Sequence, residues 1–254
     1  MTSVPDRSVL SMKATGRLTG VGNSRWAAVV FDVDGTLVDS ERDGHRVAFN
    51  AAFAASGLPY QWDVAEYGEL LAVTGGRRRL AGYLESRGYD ATGAADLAAR
   101  LHSDKTRRMR SYVTGGAISP RPGVRELLAK LDAAGVPAGV ATTGTRDWVE
   151  PLLARLFGRD AFVTVVTGSE VTELKPDPAV YAEALRILGV QAEQALAVED
   201  SRNGLQSALA AGLGCVIVTN QYTQDQDFSG AAAVYPSFEA CLADLHGPLL
   251  ARIR

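Results

Sequence analysis

Residues 27–40 read AAVVFDVDGTLVDS, and this stretch decides the fold. Its apolar first part is rich in valine and predicts a short buried strand that ends at Phe31. Two carboxylates, Asp32 and Asp34, follow one residue apart, and Gly35 takes the chain out of the sheet. Ligands of open parallel sheets bind just beyond the carboxyl ends of the strands. The two acids could therefore share a metal ion or divide two chemical tasks, although Asp-Gly alone is also a common turn.

The composition excludes several classes of protein. The 254 residues are 46% apolar and carry a formal net charge of −3, which indicates neither a nucleic-acid surface nor a membrane surface. No apolar run is long enough to span a bilayer. Cys215 and Cys241 lie in no CxxC or Cys/His cluster, so we expect unpaired thiols and a cytoplasmic protein. We expect a monomer whose partner is a small-molecule substrate, and neither a nucleic acid nor a membrane.

Two patterns follow the first strand along the chain. Between residues 41 and 115, apolar residues repeat at helical spacing in four segments, and no strand pattern occurs among them. From residue 116 onward, short apolar runs alternate with helical segments, which is typical of parallel βαβ units. The further strands that we predict span residues 137–141, 162–166, 195–198 and 214–218. A final helix is predicted around Phe238, Leu242 and Leu245.

This alternation predicts an α/β protein with a Rossmann-like parallel sheet as its core and an α-helical cap domain inserted after the first strand. The predicted core comprises residues 27–40 and 116–254, and the predicted cap comprises residues 41–115. Residues 1–26 have no clear periodicity and are predicted to form a flexible leader before the core.

Polar side chains follow several predicted strands or open predicted helices. They are Asp32 and Asp34, Thr142, Lys175, and Glu199 with Asp200. Taken singly, Thr142 could cap a helix, Lys175 could be a solvated surface lysine, and the last two acids could be ordinary residues of a helix start. If the sheet is parallel, however, all of them meet at one edge. Their joint occurrence in this order argues against coincidence.

The order of these motifs resembles that of the haloacid dehalogenase superfamily, most of whose members are magnesium-dependent phosphatases and phosphomutases. The sequence DVDGTL at residues 32–37 is similar to the first motif of that superfamily. Thr142, Lys175 and the pair Glu199-Asp200 stand in the order of the other three motifs. The resemblance therefore extends over both ends of the predicted core.

This resemblance implies a role for each motif residue. Asp32 would be the nucleophile that forms an aspartyl-phosphate, and Asp34 would be first the general acid and then the general base. Thr142 would donate to a phosphoryl oxygen, and Lys175 would compensate the gathered negative charge. The implied ligands of Mg²⁺ are the Asp32 carboxylate, the backbone carbonyl of Asp34, Asp200, and Glu199 directly or through a water.

The helical insert resembles the first class of cap domain in the superfamily, which closes over the site and excludes water. The chain also resembles the CbbY group, phosphatases that act on xylulose-1,5-bisphosphate, an inhibitory by-product of Rubisco. The stretches that carry this likeness include EYGELL at 66–71, TGG at 74–76, RPG at 121–123 and VEDSRNG at 198–204. The substrate-binding positions that we assign are Glu41, His45, Tyr67, Gly76, Arg77, Arg121 and Thr143.

Two departures from the CbbY pattern lie in the predicted cap. Arg77 follows the two glycines where the group has a lysine, and an arginine can still bind a second phosphate bidentately. The segment between Glu41 and His45 is one residue longer than in the group. For Tyr67 the alternative reading is a core residue, and for Arg77 it is a solvated charge run.

Three other functions share some of these motifs. A β-phosphoglucomutase-like phosphomutase would use the same Asp32 and Asp34 but return the phosphoryl group to the sugar. A haloacid dehalogenase needs no acid at position 34, so Asp34 argues against that activity. A non-catalytic phospho-acceptor module would carry its aspartate after a middle strand and would have no helical insert.

Overall fold

The computed structural model describes residues 25–253 and centres on a six-stranded sheet. Its strands are β1 (Ala28–Phe31), β2 (Ala138–Ala141), β3 (Thr164–Val166), β4 (Ala195–Glu199), β5 (Gly214–Val218) and β6 (Ala233–Tyr235). The strand order is β3-β2-β1-β4-β5-β6, and each neighbouring pair is parallel. The order reverses between β1 and β4, and such a switch point is where ligands bind in doubly wound sheets.

Helices account for most of the remaining regular structure. They are α1 (Arg46–Ala55), α2 (Val64–Leu70), α3 (Gly76–Ser86), α4 (Ala91–Thr114), α5 (Val124–Ala133), α6 (Arg146–Phe157), α7 (Ala179–Leu188), α8 (Arg202–Ala210) and α9 (Phe238–Ala243). Side-chain caps determine where several begin. Asp63 accepts from the amide of Glu66 at the start of α2, as its position predicts, and Ser201 accepts from the amide of Gly204 at the start of α8.

The sheet is buried on both faces because successive strand residues point to opposite sides. Val29 and Phe31 join an apolar cluster with residues of α5, α6 and α9. Ala28 and Val30 join a second cluster with residues of α7 and α8. Strands covered on both faces have near-continuous apolar sequences, which is why β1 is readable from AVVF. The predicted α/β fold with a parallel core is confirmed.

The helices α1 to α4 lie between β1 and β2 in the chain, and the described residues from Gly44 to Gly115 contain no strand. Their apolar faces form a separate core that is rich in aromatic rings, with Phe53 and Tyr83 packed edge-on against Trp62. Aromatic pairs in such geometry contribute about 0.5–1.5 kcal/mol beyond burial. The insertion therefore has its own packing, although its exact limits as a domain stay a prediction.

Several local predictions differ from the structure. The helix predicted from residue 41 begins with a π-helical turn, Glu41–His45, before α1. The last helix ends at Ala243, so Leu245 lies outside it and is 48% exposed. Strand β6 was missed because its three residues carry little pattern. Residues 1–24 of the predicted leader lie outside the described part, whereas Trp26 is buried and donates from Nε1 to the carbonyl of Pro248.

Within residues 25–253, no helix combines the length and the apolar character that crossing a bilayer requires.

Candidate active site

The ammonium group of Lys175 contacts residues at the ends of three neighbouring strands. Its Nζ lies 2.6 Å from Asp32 Oδ1, 2.8 Å from the carbonyl oxygen of Ala141, and 2.6 Å from Glu199 Oε1. Asp32 directly follows β1, Ala141 is the last residue of β2, and Glu199 is the last residue of β4. Burial opposes the charge of Lys175, but the two carboxylates outweigh it and raise the pKa of the ammonium above its usual value. The lysine predicted as catalytic is therefore charged, and its ammonium group has three hydrogen-bond acceptors.

Three carboxylates meet on either side of the switch point. Ligand atoms of Asp32, Glu199 and Asp200 lie within 4.8 Å of one another, and all three residues are buried. Burial raises the pKa of Asp32 well above its usual value, with Lys175 opposing, and burial also raises that of Asp200, with Glu199 adding to it. Three acids around one ammonium leave excess negative charge. A divalent cation with oxygen ligands fits this donor set.

Two glycines make room for the acidic cluster. Gly35 has φ +82°, and a Cβ there would lie 2.3 Å from Asp200 Oδ2. A Cβ at Gly204 would lie 2.0 Å from the carboxylate carbon of Glu199. Asn220 supports the same cluster by donating from Nδ2 to Asp200 Oδ2 at 2.7 Å. The backbone of the first motif and the start of α8 thus approach the acids as closely as only glycine permits.

Asp34 has different surroundings from Asp32. Its carboxylate accepts from the hydroxyl of Ser40, and its Oδ1 lies 2.9 Å from Nε2 of His45. Burial would raise the pKa of Asp34, but His45 and the two hydrogen bonds outweigh it and lower the pKa from its usual value. The side chain of Asp34 is not part of the acidic cluster, and its backbone carbonyl stays a predicted metal ligand.

A π-helical turn brings His45 to Asp34. A π turn accommodates one more residue per turn than an α-helix, and such turns are frequent at functional sites. Glu41 and His45 bound this turn. Both line one small cavity beside Asp34, so the turn presents both side chains to the site.

The two threonines after β2 have different exposures. Thr142 is fully buried, and its Oγ1 accepts from the amide of Gly144 at 3.1 Å. Thr142 does not line the cleft that contains Asp32. Thr143 lines the cleft of about 300 Å³ that contains Asp32, Asp34 and Lys175.

Glu41 and Tyr67, two predicted substrate-binding residues, meet in one network. The hydroxyl of Tyr67 donates to Glu41 Oε2, and Nη1 of Arg79 donates to the same hydroxyl at 3.1 Å. Arg79 also donates from Nε to the carbonyl of Leu70. Glu41 and Arg79 both line the 300 Å³ cleft opposite the acidic cluster.

A smaller cavity of about 70 Å³ adjoins this network. It is lined by Gly76, His45 and Arg79, and also by His102 and Lys105 of α4. Burial lowers the pKa of Lys105 to about 8, with Glu41 opposing. Burial and the neighbouring Lys105 lower the pKa of His102 to about 4, so this imidazole is neutral at pH 7.

Three predicted substrate residues line neither the catalytic cleft nor the smaller cavity. Tyr67 is fully buried in the aromatic core of the insertion, which is the alternative that the sequence offered for it. Arg77 is exposed and lines neither of these cavities, whereas Arg79, two residues later, does. Arg121 is buried, and its guanidinium donates to the backbone carbonyls of Gly35, Val218 and Thr219. It lines a neighbouring cleft of about 400 Å³ instead. Arg121 thus holds the first motif loop against the end of β5.

The sequence carried signals for two of the residues that it did not single out. Arg79 precedes Tyr83 by one helical turn, so it belongs to the buried face of α3. Lys105 follows Leu101 by one turn and precedes Met109 by one turn, in the middle of the buried stripe of α4. A cation on an apolar stripe is a stronger indication of function than a run of arginines.

The fold is a doubly wound parallel sheet that carries a cluster of buried carboxylates at its switch point. A family model of haloacid dehalogenase-like hydrolases matches residues 26–212. Protein CbbY from Cereibacter sphaeroides is 42% identical over 214 residues, covering 83% of this chain and 92% of that protein. A phosphoglycolate phosphatase from Pseudomonas savastanoi is 34% identical over 203 residues, covering 76% of this chain and 70% of that protein.

A similar solved structure is also a CbbY protein. It is a variant of CbbY from Rhodobacter sphaeroides in complex with xylulose-1,5-bisphosphate, with TM-score 0.78 and 41% identity, covering 88% of this chain and 97% of that one. The chain therefore belongs to the haloacid dehalogenase-like hydrolases. Within them it is similar to the CbbY proteins, and it is a phosphoric monoester hydrolase.

Proposed function

We propose that this enzyme is a magnesium-dependent phosphatase that converts xylulose-1,5-bisphosphate to xylulose 5-phosphate through an aspartyl-phosphate. The observation that carries the proposal is the contact of Lys175 Nζ with both Asp32 and Glu199 at 2.6 Å. It assembles a nucleophile, a charge-compensating cation and an acidic cluster in one buried site. The likeness to a CbbY variant with that bisphosphate bound supports the choice of substrate.

In the first step, a carboxylate oxygen of Asp32 attacks the phosphorus of the substrate. The bond from phosphorus to the sugar oxygen breaks, and its electron pair stays on the sugar oxygen, which takes a proton from Asp34. In the free enzyme Oδ1 of Asp34 lies 2.9 Å from Nε2 of His45. The charge of an arriving phosphate favours the protonated carboxyl.

In the second step, Asp34 accepts a proton from a water that attacks the phosphorus of the aspartyl-phosphate. The bond between phosphorus and the Asp32 oxygen breaks, which restores the carboxylate and releases inorganic phosphate. The same residue thus acts as acid and then as base, as microscopic reversibility of the two steps allows.

Three groups would stabilise the charge that gathers on the phosphoryl oxygens. The hydroxyl of Thr142 would donate to a phosphoryl oxygen, and Lys175 is held charged by its two carboxylate partners. Mg²⁺ would be held by Asp32, Glu199, Asp200 and the carbonyl of Asp34, and as a Lewis acid it would reduce the repulsion between the nucleophile and the phosphoryl group. The excess of acids over cations in the cluster supports this ligand set.

The opposite wall of the cleft favours a substrate with a second phosphate. Arg79 and Lys105 are both buried there, and Gly76 begins α3 at the same small cavity. The first amides of a helix and two buried cations suit a phosphate. Glu41 lines the cleft and suits a sugar hydroxyl as a hydrogen-bond acceptor, and Tyr67 holds it in place by donating to Oε2.

The substrate proposal is tested by measuring phosphate release with Mg²⁺ from xylulose-1,5-bisphosphate, ribulose-1,5-bisphosphate, phosphoglycolate and β-glucose 1-phosphate. We expect the highest kcat/KM with the first compound and no release after complete chelation. A preference for phosphoglycolate would overturn the substrate, and full activity after chelation would overturn the metal. Interconversion of β-glucose 1-phosphate and glucose 6-phosphate without release would identify a phosphomutase instead.

We also propose a cytoplasmic location. Cys215 and Cys241 are both free and buried, which suits a compartment that keeps thiols reduced. Fractionation of the source cells with an antibody to this chain tests the location, and recovery outside the cytoplasm would contradict it.

A further inference from the structure

Tyr181 lies directly beneath the catalytic pair of Lys175 and Glu199. It is fully buried in the first turn of α7, and its hydroxyl donates to Glu199 Oε1 at 2.7 Å. Tyr181 and Leu185 are four residues apart, so both lie on the buried apolar face of α7. A phenol on such a face usually finds a hydrogen-bond partner, and here the partner is a residue of the acidic cluster.

The hydroxyl completes the restraint of the Glu199 carboxylate. Oε1 accepts from Nζ of Lys175 at 2.6 Å and from Tyr181, while Oε2 accepts from the amide of Asp200 at 3.3 Å. Behind the carboxylate lies the α-carbon of Gly204, so close that a Cβ would overlap it. The carboxylate therefore cannot rotate without losing contacts on every side.

Tyr181 also contacts the lysine. The ammonium of Lys175 lies 4.9 Å from the centroid of the phenol ring, which is within the range of a cation–π interaction. The ring and the hydroxyl thus support two different members of the site.

We propose that Tyr181 is a positioning residue that acts through Glu199 to preorganise the acidic cluster for a divalent cation. This inference rests on the proposed magnesium dependence. Groups that hydrogen-bond to metal ligands typically change metal affinity by about 10–100-fold when they are removed. The hydroxyl is the functional atom, and the ring serves packing and the contact with Lys175.

The test is Mg²⁺ binding to Tyr181→Phe, measured by isothermal titration calorimetry and by the rise of the unfolding midpoint with added MgCl2. We expect about tenfold weaker binding, because the ring and its packing remain while the hydroxyl is lost. Tyr235→Phe is the matched control, since Tyr235 also donates from its hydroxyl to a carboxylate, that of Asp244, at 2.8 Å. The control should bind Mg²⁺ as the unmodified enzyme does.

A double variant separates positioning from a general loss of stability. If Tyr181 acts through Glu199, then Tyr181→Phe changes Mg²⁺ affinity less than twofold when Glu199→Gln is already present. Additive losses would overturn the proposal, and so would unchanged affinity in Tyr181→Phe alone. Failure of the unmodified enzyme to bind Mg²⁺ would instead overturn the metal in the proposed function.

Discussion

The two walls of the catalytic cleft are built in different ways. On the sheet side, Asp32 and Asp200 directly follow the strands that flank the switch point, and Glu199 ends one of them. On the cap side, Glu41, Tyr67 and Arg79 come from three separate helical segments and meet only through their side chains. Under the proposed function, the sheet wall acts on the phosphate and the cap wall distinguishes what that phosphate is attached to.

This difference predicts separate kinetic signatures. Changes on the sheet wall should lower kcat, because its groups act on the reacting atoms. Changes on the cap wall should mainly raise KM and do so selectively for bisphosphates. Each of the following predictions tests whether the two walls have these separate kinetic effects.

The largest effect is expected for Asp32→Asn. The amide cannot form an acyl-phosphate, so we expect kcat to fall by about 10⁴-fold or more. Steady-state phosphate release measures the loss, and the unfolding midpoint serves as the control for folding. Residual turnover within tenfold of the unmodified enzyme would contradict the nucleophile and with it the role of the sheet wall.

Asp34→Asn should have the next largest effect. Loss of general acid and base catalysis typically costs about 10²–10⁴-fold in kcat. Substrate binding should persist, because the substitution keeps the shape of the side chain and its neighbours Ser40 and His45. Equilibrium binding of the bisphosphate and single-turnover rates measure the two parts. Normal rates with weakened binding would move Asp34 from chemistry to recognition.

The paired variants Arg79→Met and Arg77→Met test the cap wall. Arg79 is buried at the cleft, and a hydrogen bond to a charged group contributes about 1.5–3 kcal/mol. We therefore expect KM for a bisphosphate to rise about 10–100-fold for Arg79→Met. Exposed Arg77 should change it less than twofold. Kinetics with a monophosphate provide the control for general damage, and a larger effect of Arg77→Met would restore the sequence-based assignment.

The smallest effect is a pH dependence that originates in Lys105. Its pKa is lowered to about 8, chiefly by burial, so the ammonium loses its charge as the pH rises through that value. We expect KM for a bisphosphate to rise several-fold between pH 7 and 9.5. Lys105→Arg should flatten this rise, because arginine stays protonated throughout. The same rise in the arginine variant would assign the titration to another group.

The sheet wall was largely predictable from the sequence. Buried parallel strands have apolar runs that end abruptly, and the acids after them mark one edge whatever the rest of the chain does. Thus Asp32, Lys175 and Glu199 were brought together as predicted. Their assigned roles stay predictions until the variants are measured.

The cap wall was predictable only in part. Glu41 and His45 reach the site as predicted, but through a π-helical turn that no periodicity indicated. The run of three arginines gave no indication of which member faces the cleft, and the glycine-rich loop drew attention to Arg77. The packing of α3 through Leu80 and Tyr83 selected Arg79 instead.

The sequence by itself determined the parallel sheet, the helical insertion and the acidic catalytic edge, because strand ends are local features that a parallel sheet places side by side. Only the tertiary structure decided which cap residues line the cleft. It also decided that Arg121 binds backbone carbonyls instead of facing the cleft, and that Tyr181 contacts Glu199. These contacts join side chains far apart along the chain, and their partners depend on how helices pack and rotate against one another.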